Sequence, residues 1–221
     1  MKDQKPTPNT TTAATTLIER RWLKLMVIVT QILTWIIVQP ILPMFIRKRS
    51  IALQVSDVEH RKDTLISANH QSRIDPFLVV CILPFRTFIK LLPYRFFAYN
   101  GLFNTPLRPF LLLHGCFPAS THPKWSSGIG AAEHLLRDKQ TVFIFPEGKR
   151  VSYASKPARS GVGIIAQNNP NLRLIPVNIL WTAPGWWRKC EVTIARPESV
   201  KGLNASDILD RTYSLRPDLK S

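Results

Sequence analysis

Residues 63–83 read DTLISANHQSRIDPFLVVCIL. A β-rich apolar run comes first and stops at consecutive polar residues. Asp75 then stands where a helix N-cap is expected, with Pro76 at the first helical position and FLVVCIL as the helix itself. A strand, a polar turn and a helix therefore follow one another without a linker. The same alternation continues downstream. SSGIGAAEHLLRDKQ reads as a helix, TVFIFPEG as a strand ending in a turn, and SGVGIIAQNN as another helix. LRLIPVNIL and CEVTIARP read as two further strands, and ASDILDRTYSLR as a last helix. This order predicts an α/β fold, a mostly parallel sheet flanked by helices. No internal repeat is visible.

The turn between the first strand and helix carries His70 and Asp75, five residues apart. On one α-helix that offset puts two side chains roughly 140° apart, and on one strand an odd offset sends them to opposite faces. Only a turn brings them together. There Asp75 can accept a hydrogen bond from one imidazole nitrogen, leaving the other to take a proton. No Gly-x-Ser-x-Gly elbow occurs, so the hydroxyl that such a base would activate belongs to a substrate. The plainer alternative is a helix cap at Asp75 and a surface histidine in the turn.

The strand TVFIF runs into Pro146, Glu147, Gly148, Lys149 and Arg150. Gly allows a tight turn with close backbone approach, and Lys and Arg at a strand end suit a phosphate clamp. An ordinary Pro-Glu-Gly turn with a solvated basic edge is the alternative. Lys156 and Arg159 extend the basic character.

Toward the N-terminus, residues 1–16 are rich in Thr and Pro and poor in large apolar side chains, as expected of a disordered tail. Residues 17–49 form a membrane-associating segment. From Leu25 to Ile46 no residue is charged, close to the roughly 20 residues that cross a bilayer as a helix. A signal peptide fits poorly, because the apolar run is too long and lacks a small-residue cleavage site. Pro40 and Pro43 predict a first helix ending near Val38 and a short second piece. Arg20, Lys24, Gln31 and Thr34 draw a weak polar stripe along the first helix, and basic clusters bracket the segment on both sides. That pattern favours a bent pair dipping into one leaflet over a single span.

The whole chain has 221 residues and a formal net charge of +16, from 30 Lys and Arg against 14 Asp and Glu. Such an excess points to nucleic acid, an anionic membrane surface or phosphorylated substrates. Between Pro84 and Phe110, Arg86, Lys90, Arg95 and Arg108 alternate with aromatics. That mixture suits single-stranded nucleic acid, lipid headgroups or the edge of an acyl tunnel, and the adjacent apolar anchor favours lipid. Trp181, Trp186 and Trp187 fit an interfacial belt or core packing equally. Three scattered cysteines argue against a disulfide framework or zinc site and suit a reducing compartment, and His60, His114, His122 and His134 have no metal-ligand spacing. GVGIIA follows a basic loop, with no strand leading in, and is not a dinucleotide fingerprint.

Taken together, these motifs resemble the glycerolipid acyltransferase family, in its 1-acylglycerol-3-phosphate acyltransferase branch. NHQSRID is similar to the family's first block through Asn69, His70, Ser72 and Asp75. FPEGKR resembles the block Phe-Pro-Glu-Gly-Thr-Arg, with Glu147, Gly148 and Arg150 in place and Lys149 where the family has Thr. LIPVNI resembles the Pro-Val strand block. The second block is only loosely matched by residues 88–120, through Lys90, and lacks its terminal Arg. The resemblance covers residues 50–200, within a domain placed at 50–221.

What the resemblance implies is acyl transfer from acyl-CoA or acyl-carrier protein to the 2-hydroxyl of lysophosphatidate, giving phosphatidate. His70 is then the general base and Asp75 its orienting partner. Asn69, Ser72, Arg73, Lys90, Glu147, Gly148, Lys149 and Arg150 are placed in substrate binding. No metal or bound cofactor is implied, and anionic membrane lipids rather than nucleic acid are the expected partners. The catalytic domain is expected on the cytoplasmic face of the inner membrane. Another lysolipid acceptor, or a non-catalytic basic protein binding membranes or nucleic acid, are the competing readings.

Overall fold

The computed structural model describes residues 21–58, 63–119, 126–151, 157–181 and 189–216. The tail, Arg20, His60, His122, Lys156, Trp186 and Trp187 lie outside the described residues. Helix α1 (Arg21–Val38) and the short α2 (Leu42–Phe45) precede β1 (Ile46–Ile51). Then come β2 (Thr64–Ala68), α3 (Asp75–Ile82), α4 (Phe85–Lys90) and β3 (Tyr94–Ala98). Next are α5 (Arg108–Leu113), β4 (Cys116–Pro118), α6 (Ser126–Arg137), β5 (Thr141–Ile144) and α7 (Ser160–Asn168). The chain continues through β6 (Arg173–Trp181), β7 (Cys190–Ile194), β8 (Glu198–Ser199) and α8 (Ala205–Tyr213).

The strands form one sheet in the order β1-β7-β6-β2-β5-β3-β4, with β8 added beside β6. Pairing is parallel except where β6 meets β7 and β8. The expected mostly parallel α/β architecture is therefore present. All five residues of β2 are buried because it lies at mid-sheet with helices on both faces. Its side chains alternate: Leu65 joins the cluster built on α6, α7 and α8, whereas Ile66 and Ala68 join the cluster under α3 and α4. Cys81, Cys116 and Cys190 are free and buried, and burial pushes each thiol up to about 12, as suits small apolar fillers.

Helix α1 ends at Val38, just before Pro40, and the second piece is α2. The polar stripe on α1 turns inward. Gln31 is buried; its amide donates to the carbonyls of Tyr94 (2.8 Å) and His114 (3.0 Å) and accepts from the Tyr94 N–H (3.0 Å). Thr34 bonds the His114 ring, and Lys24 pairs with Asp138 at 3.0 Å. The outer face carries Trp22, Leu25, Met26, Val29, Leu33, Ile36 and Ile37, all exposed. Ordinary surface helices hide the apolar side and show the polar one. Here the order is reversed, which leaves a broad apolar surface continuing through Ile41, Met44 and Phe45.

Two expectations need correction. The basic cluster Arg47, Lys48 and Arg49 does not end a membrane segment: it belongs to β1, an edge strand paired to β7, so the sheet begins at Ile46. Charged side chains are well tolerated on such an edge, where they discourage pairing with other chains. The basic–aromatic stretch is not one surface either. Tyr94, Arg95 and Phe96 are buried in β3, Phe88 is core, and the Arg95 Nε donates to Gln140 at 2.5 Å. Burial lowers the Arg95 pKa to about 10, against the pull of Asp138.

Candidate active site

The site forms where β2 leaves the carboxyl edge of the sheet. Asn69, the first residue past the strand, is buried and clamps the turn to β6. Its Nδ2 donates to the Ile179 carbonyl at 2.7 Å, while its Oδ1 accepts the Ile179 N–H at 2.6 Å. With both ends of the amide engaged, Asn69 holds the backbone rather than a ligand. His70 follows, its ring stacked on Phe145 at 4.0 Å and its side chain only 19% exposed.

The turn brings Asp75 back beneath the histidine. Asp75 is fully buried and begins α3, but it is not the N-cap expected from sequence. Ile74 occupies the cap position, and the carboxylate points back into the preceding turn. Its Oδ2 accepts the N–H groups of Gln71 (2.7 Å) and Ser72 (2.6 Å) and lies 3.1 Å from His70 Nδ1. Its Oδ1 accepts the indole N–H of Trp181 at 2.9 Å. Four donors thus surround one buried carboxylate, as a buried charge requires. Because Oδ2 can only accept here, the proton sits on His70 Nδ1 and the lone pair on Nε2. No group among the described residues bonds Nε2.

A second buried carboxylate fixes the histidine backbone. Glu147 accepts the His70 N–H at 3.1 Å on one oxygen and the Tyr213 hydroxyl at 2.6 Å on the other. Burial raises the Glu147 carboxyl, and the bonds from Tyr213 and the His70 N–H oppose that shift. Burial raises the Tyr213 phenol, and the same carboxylate adds to the shift. Glu147 is 2% exposed with both oxygens engaged, so it braces the turn instead of facing a substrate. The Val151 N–H donates to the His70 carbonyl at 2.7 Å, stitching the β5 turn to the same loop.

Gly148, Lys149 and Arg150 are exposed in that turn. Gly148 has φ +65°, and a Cβ there would come within 2.6 Å of Arg159 Cδ and Nε. The left-handed backbone favours glycine there, and the flexible Arg159 side chain passes close against it. Arg159 thus joins Lys149 and Arg150 at one basic rim. Ser72 contributes its backbone N–H to Asp75, and Arg73 is exposed on the loop. Lys90 is not part of this site. It ends α4 before β3 begins, at the amino edge of the parallel strands, and its ammonium donates to the Val55 carbonyl at 3.1 Å.

Sequence reading missed two partners, Trp181 and Tyr213. Trp181 closes β6 with its side chain buried against Asp75, so the interfacial belt does not apply to it. Tyr213 ends α8, on the buried face with Ile208, Leu209 and Thr212. A tyrosine on the apolar face of an amphipathic helix signals a hydroxyl that must find an interior partner.

The fold and these side chains define the class: an α/β enzyme with a His–Asp pair at the carboxyl edge of its sheet. The chain belongs to the Acyltransferase family, whose model matches residues 52–180. Among solved structures it is similar to the 1-acyl-sn-glycerophosphate (LPA) acyltransferase PlsC from Thermotoga maritima. That likeness has a TM-score of 0.54 at 17% identity and covers 78% of this chain and 71% of that one, which establishes the shared fold. No curated protein matches the sequence. The family match stops one residue before Trp181 and well short of Tyr213.

Proposed function

We propose that the protein transfers a fatty acyl group from an acyl-CoA or acyl-carrier-protein thioester to the 2-hydroxyl of 1-acylglycerol-3-phosphate, giving phosphatidate. The observation that carries this reading is the His70 Nδ1–Asp75 contact at 3.1 Å, beside an exposed rim of Lys149, Arg150 and Arg159. His70 Nε2 accepts the proton of the 2-hydroxyl as its oxygen attacks the thioester carbonyl. The tetrahedral intermediate collapses, the C–S bond breaks, and the imidazolium returns the proton to the departing thiolate. A free thiol and phosphatidate leave. Asp75 keeps the tautomer and offsets the charge that the ring gains. The basic rim holds the phosphate.

The exposed apolar face of α1 and α2 supports attachment to the leaflet in which the acyl chain resides; a catalytic domain on the cytoplasmic side is part of the same proposal. Thioester consumption against a panel of lysolipids tests the assignment, with products weighed by mass spectrometry. Lysophosphatidate is expected to give the fastest thiol release and phosphatidate as product. Because Lys149 adds a cation where the family has Thr, a lysolipid with a larger anionic headgroup is the second reading. Its turning over faster than lysophosphatidate would overturn the acceptor but not the chemistry.

Tyr213 acts as a positioning residue through Glu147. Tyr213→Phe is expected to lower kcat about 10-fold, equivalent to ~1.4 kcal/mol, with KM for the acceptor unchanged. Losing the phenol removes a donor that favours the charged carboxylate, so the Glu147 carboxyl rises further. A lowered thermal midpoint with kcat unchanged would assign Tyr213 to packing alone.

A further inference from the structure

A cleft of about 520 Å³ opens at the far end of α3 from Asp75, lined by Trp35, Arg49, Ile51, Ile82 and Phe85 among others. Helix α3 has eight residues, so at about 1.5 Å per residue its two ends stand roughly 10 Å apart. The cleft is therefore separate from the His70 site.

The walls are more apolar than polar, and the Trp35 and Gln39 donors are internally engaged. The Trp35 indole N–H donates to the Leu83 carbonyl at 3.3 Å, and Gln39 donates to the Cys81 carbonyl. Arg49 differs. It and Ile51 are two apart on β1 and thus face the same side. Arg49 is exposed at the mouth and has no ion-pair partner among the described residues, whereas neighbouring Arg47 approaches Glu191 at 3.9 Å. Because β1 is the sheet edge, the mouth opens at the rim of the domain. Phe85 on its wall is 48% exposed, and the apolar surface of Ile41, Met44 and Phe45 lies on the segment leading into β1.

We propose that this cleft holds an anionic phospholipid of the surrounding leaflet, its phosphate on Arg49 and an acyl chain along Trp35, Ile82 and Phe85. The inference rests on the membrane attachment proposed above and adds a lipid site away from the reaction. Three features select that occupant. An arginine fork suits phosphate oxygens, an apolar trough of this volume suits part of one chain, and the apolar outer face of α1 lets lipid enter sideways. Held there, a lipid joins β1, α1 and the α3–α4 corner, and so ties the anchor to the sheet.

The test is native mass spectrometry of the full chain released from nanodiscs of equal phosphatidylglycerol and phosphatidylcholine. The protein is expected to retain phosphatidylglycerol over phosphatidylcholine by about five-fold, the size of preference one basic residue gives near a membrane surface. Arg49→Ala should bring retention to parity and Arg49→Lys should keep part of the preference. Arg86→Ala, which removes an exposed cation on α4 that is not in the lining, should leave it unchanged. Equal loss in the Arg49 and Arg86 variants, or an unaltered preference in Arg49→Ala, overturns the site. Thiol release by the same nanodisc preparations is expected to be the same in Arg49→Ala as in the parent. Its absence from the parent protein would count against the acyltransferase chemistry and leave the lipid result standing.

Discussion

His70→Ala is expected to lower kcat by about 10²–10⁴-fold, the usual worth of a positioned general base. The geometry makes this a clean substitution. The imidazole is partly exposed and, among the described residues, hydrogen-bonds only to Asp75. Removing it leaves that carboxylate three further donors, Gln71 N–H, Ser72 N–H and the Trp181 indole, so no buried charge is orphaned. The fold should survive with modest loss, mainly of the ring stack on Phe145. KM for lysophosphatidate should change little, because Nε2 binds the hydroxyl more strongly as its proton departs than before. Whatever rate remains would come from holding thioester and alcohol together. Thiol release that continues undiminished would remove His70 from the mechanism.

The part of the site carried by short spacing was legible in the sequence. A strand ending at Asn69, a helix opening at Asp75-Pro76 and five residues between leave the chain no way to join the two side chains except a turn. The helix stop at Val38 followed from Pro40 on the same local grounds. Legibility failed where a partner arrives from far along the chain. Trp181 reaches Asp75 across 106 residues and Tyr213 reaches Glu147 across 66, and no spacing rule connects them. Glu147 illustrates the consequence. Read locally it is a turn carboxylate free to meet a ligand; in the fold, Tyr213 and the His70 N–H occupy it. Arg95 failed for another reason. Interleaved charge and aromatics look like a surface, yet strand β3 buries both because Gln140 and Asp138 await the guanidinium. The stripe on α1 was visible as a pattern, but which medium each face meets depends on the tertiary partners of Gln31 and Thr34.

Asp75→Asn should be nearly as damaging to turnover as loss of the base, and more damaging to the fold. The carboxylate accepts on both oxygens: three donors on Oδ2 and one on Oδ1. An amide has only one oxygen to offer. If that oxygen faces the turn, its NH₂ meets the Trp181 N–H, donor against donor, in a fully buried place. If it faces Trp181 instead, the NH₂ confronts Gln71 and Ser72 and donates to His70 Nδ1, which moves the ring proton to Nε2 and blocks the base. The first orientation misplaces fewer donors and costs on the order of 1–3 kcal/mol of stability. It keeps the tautomer but removes the negative charge facing the imidazolium that forms in the transition state. A fall in kcat of about 10²–10⁴-fold is therefore expected, together with a larger fall in thermal midpoint than His70→Ala shows. The pair acts as one unit, so the double variant should be little slower than His70→Ala alone. Multiplicative losses in that cycle would mean that Asp75 contributes through the fold and that the histidine takes its proton without help from the carboxylate.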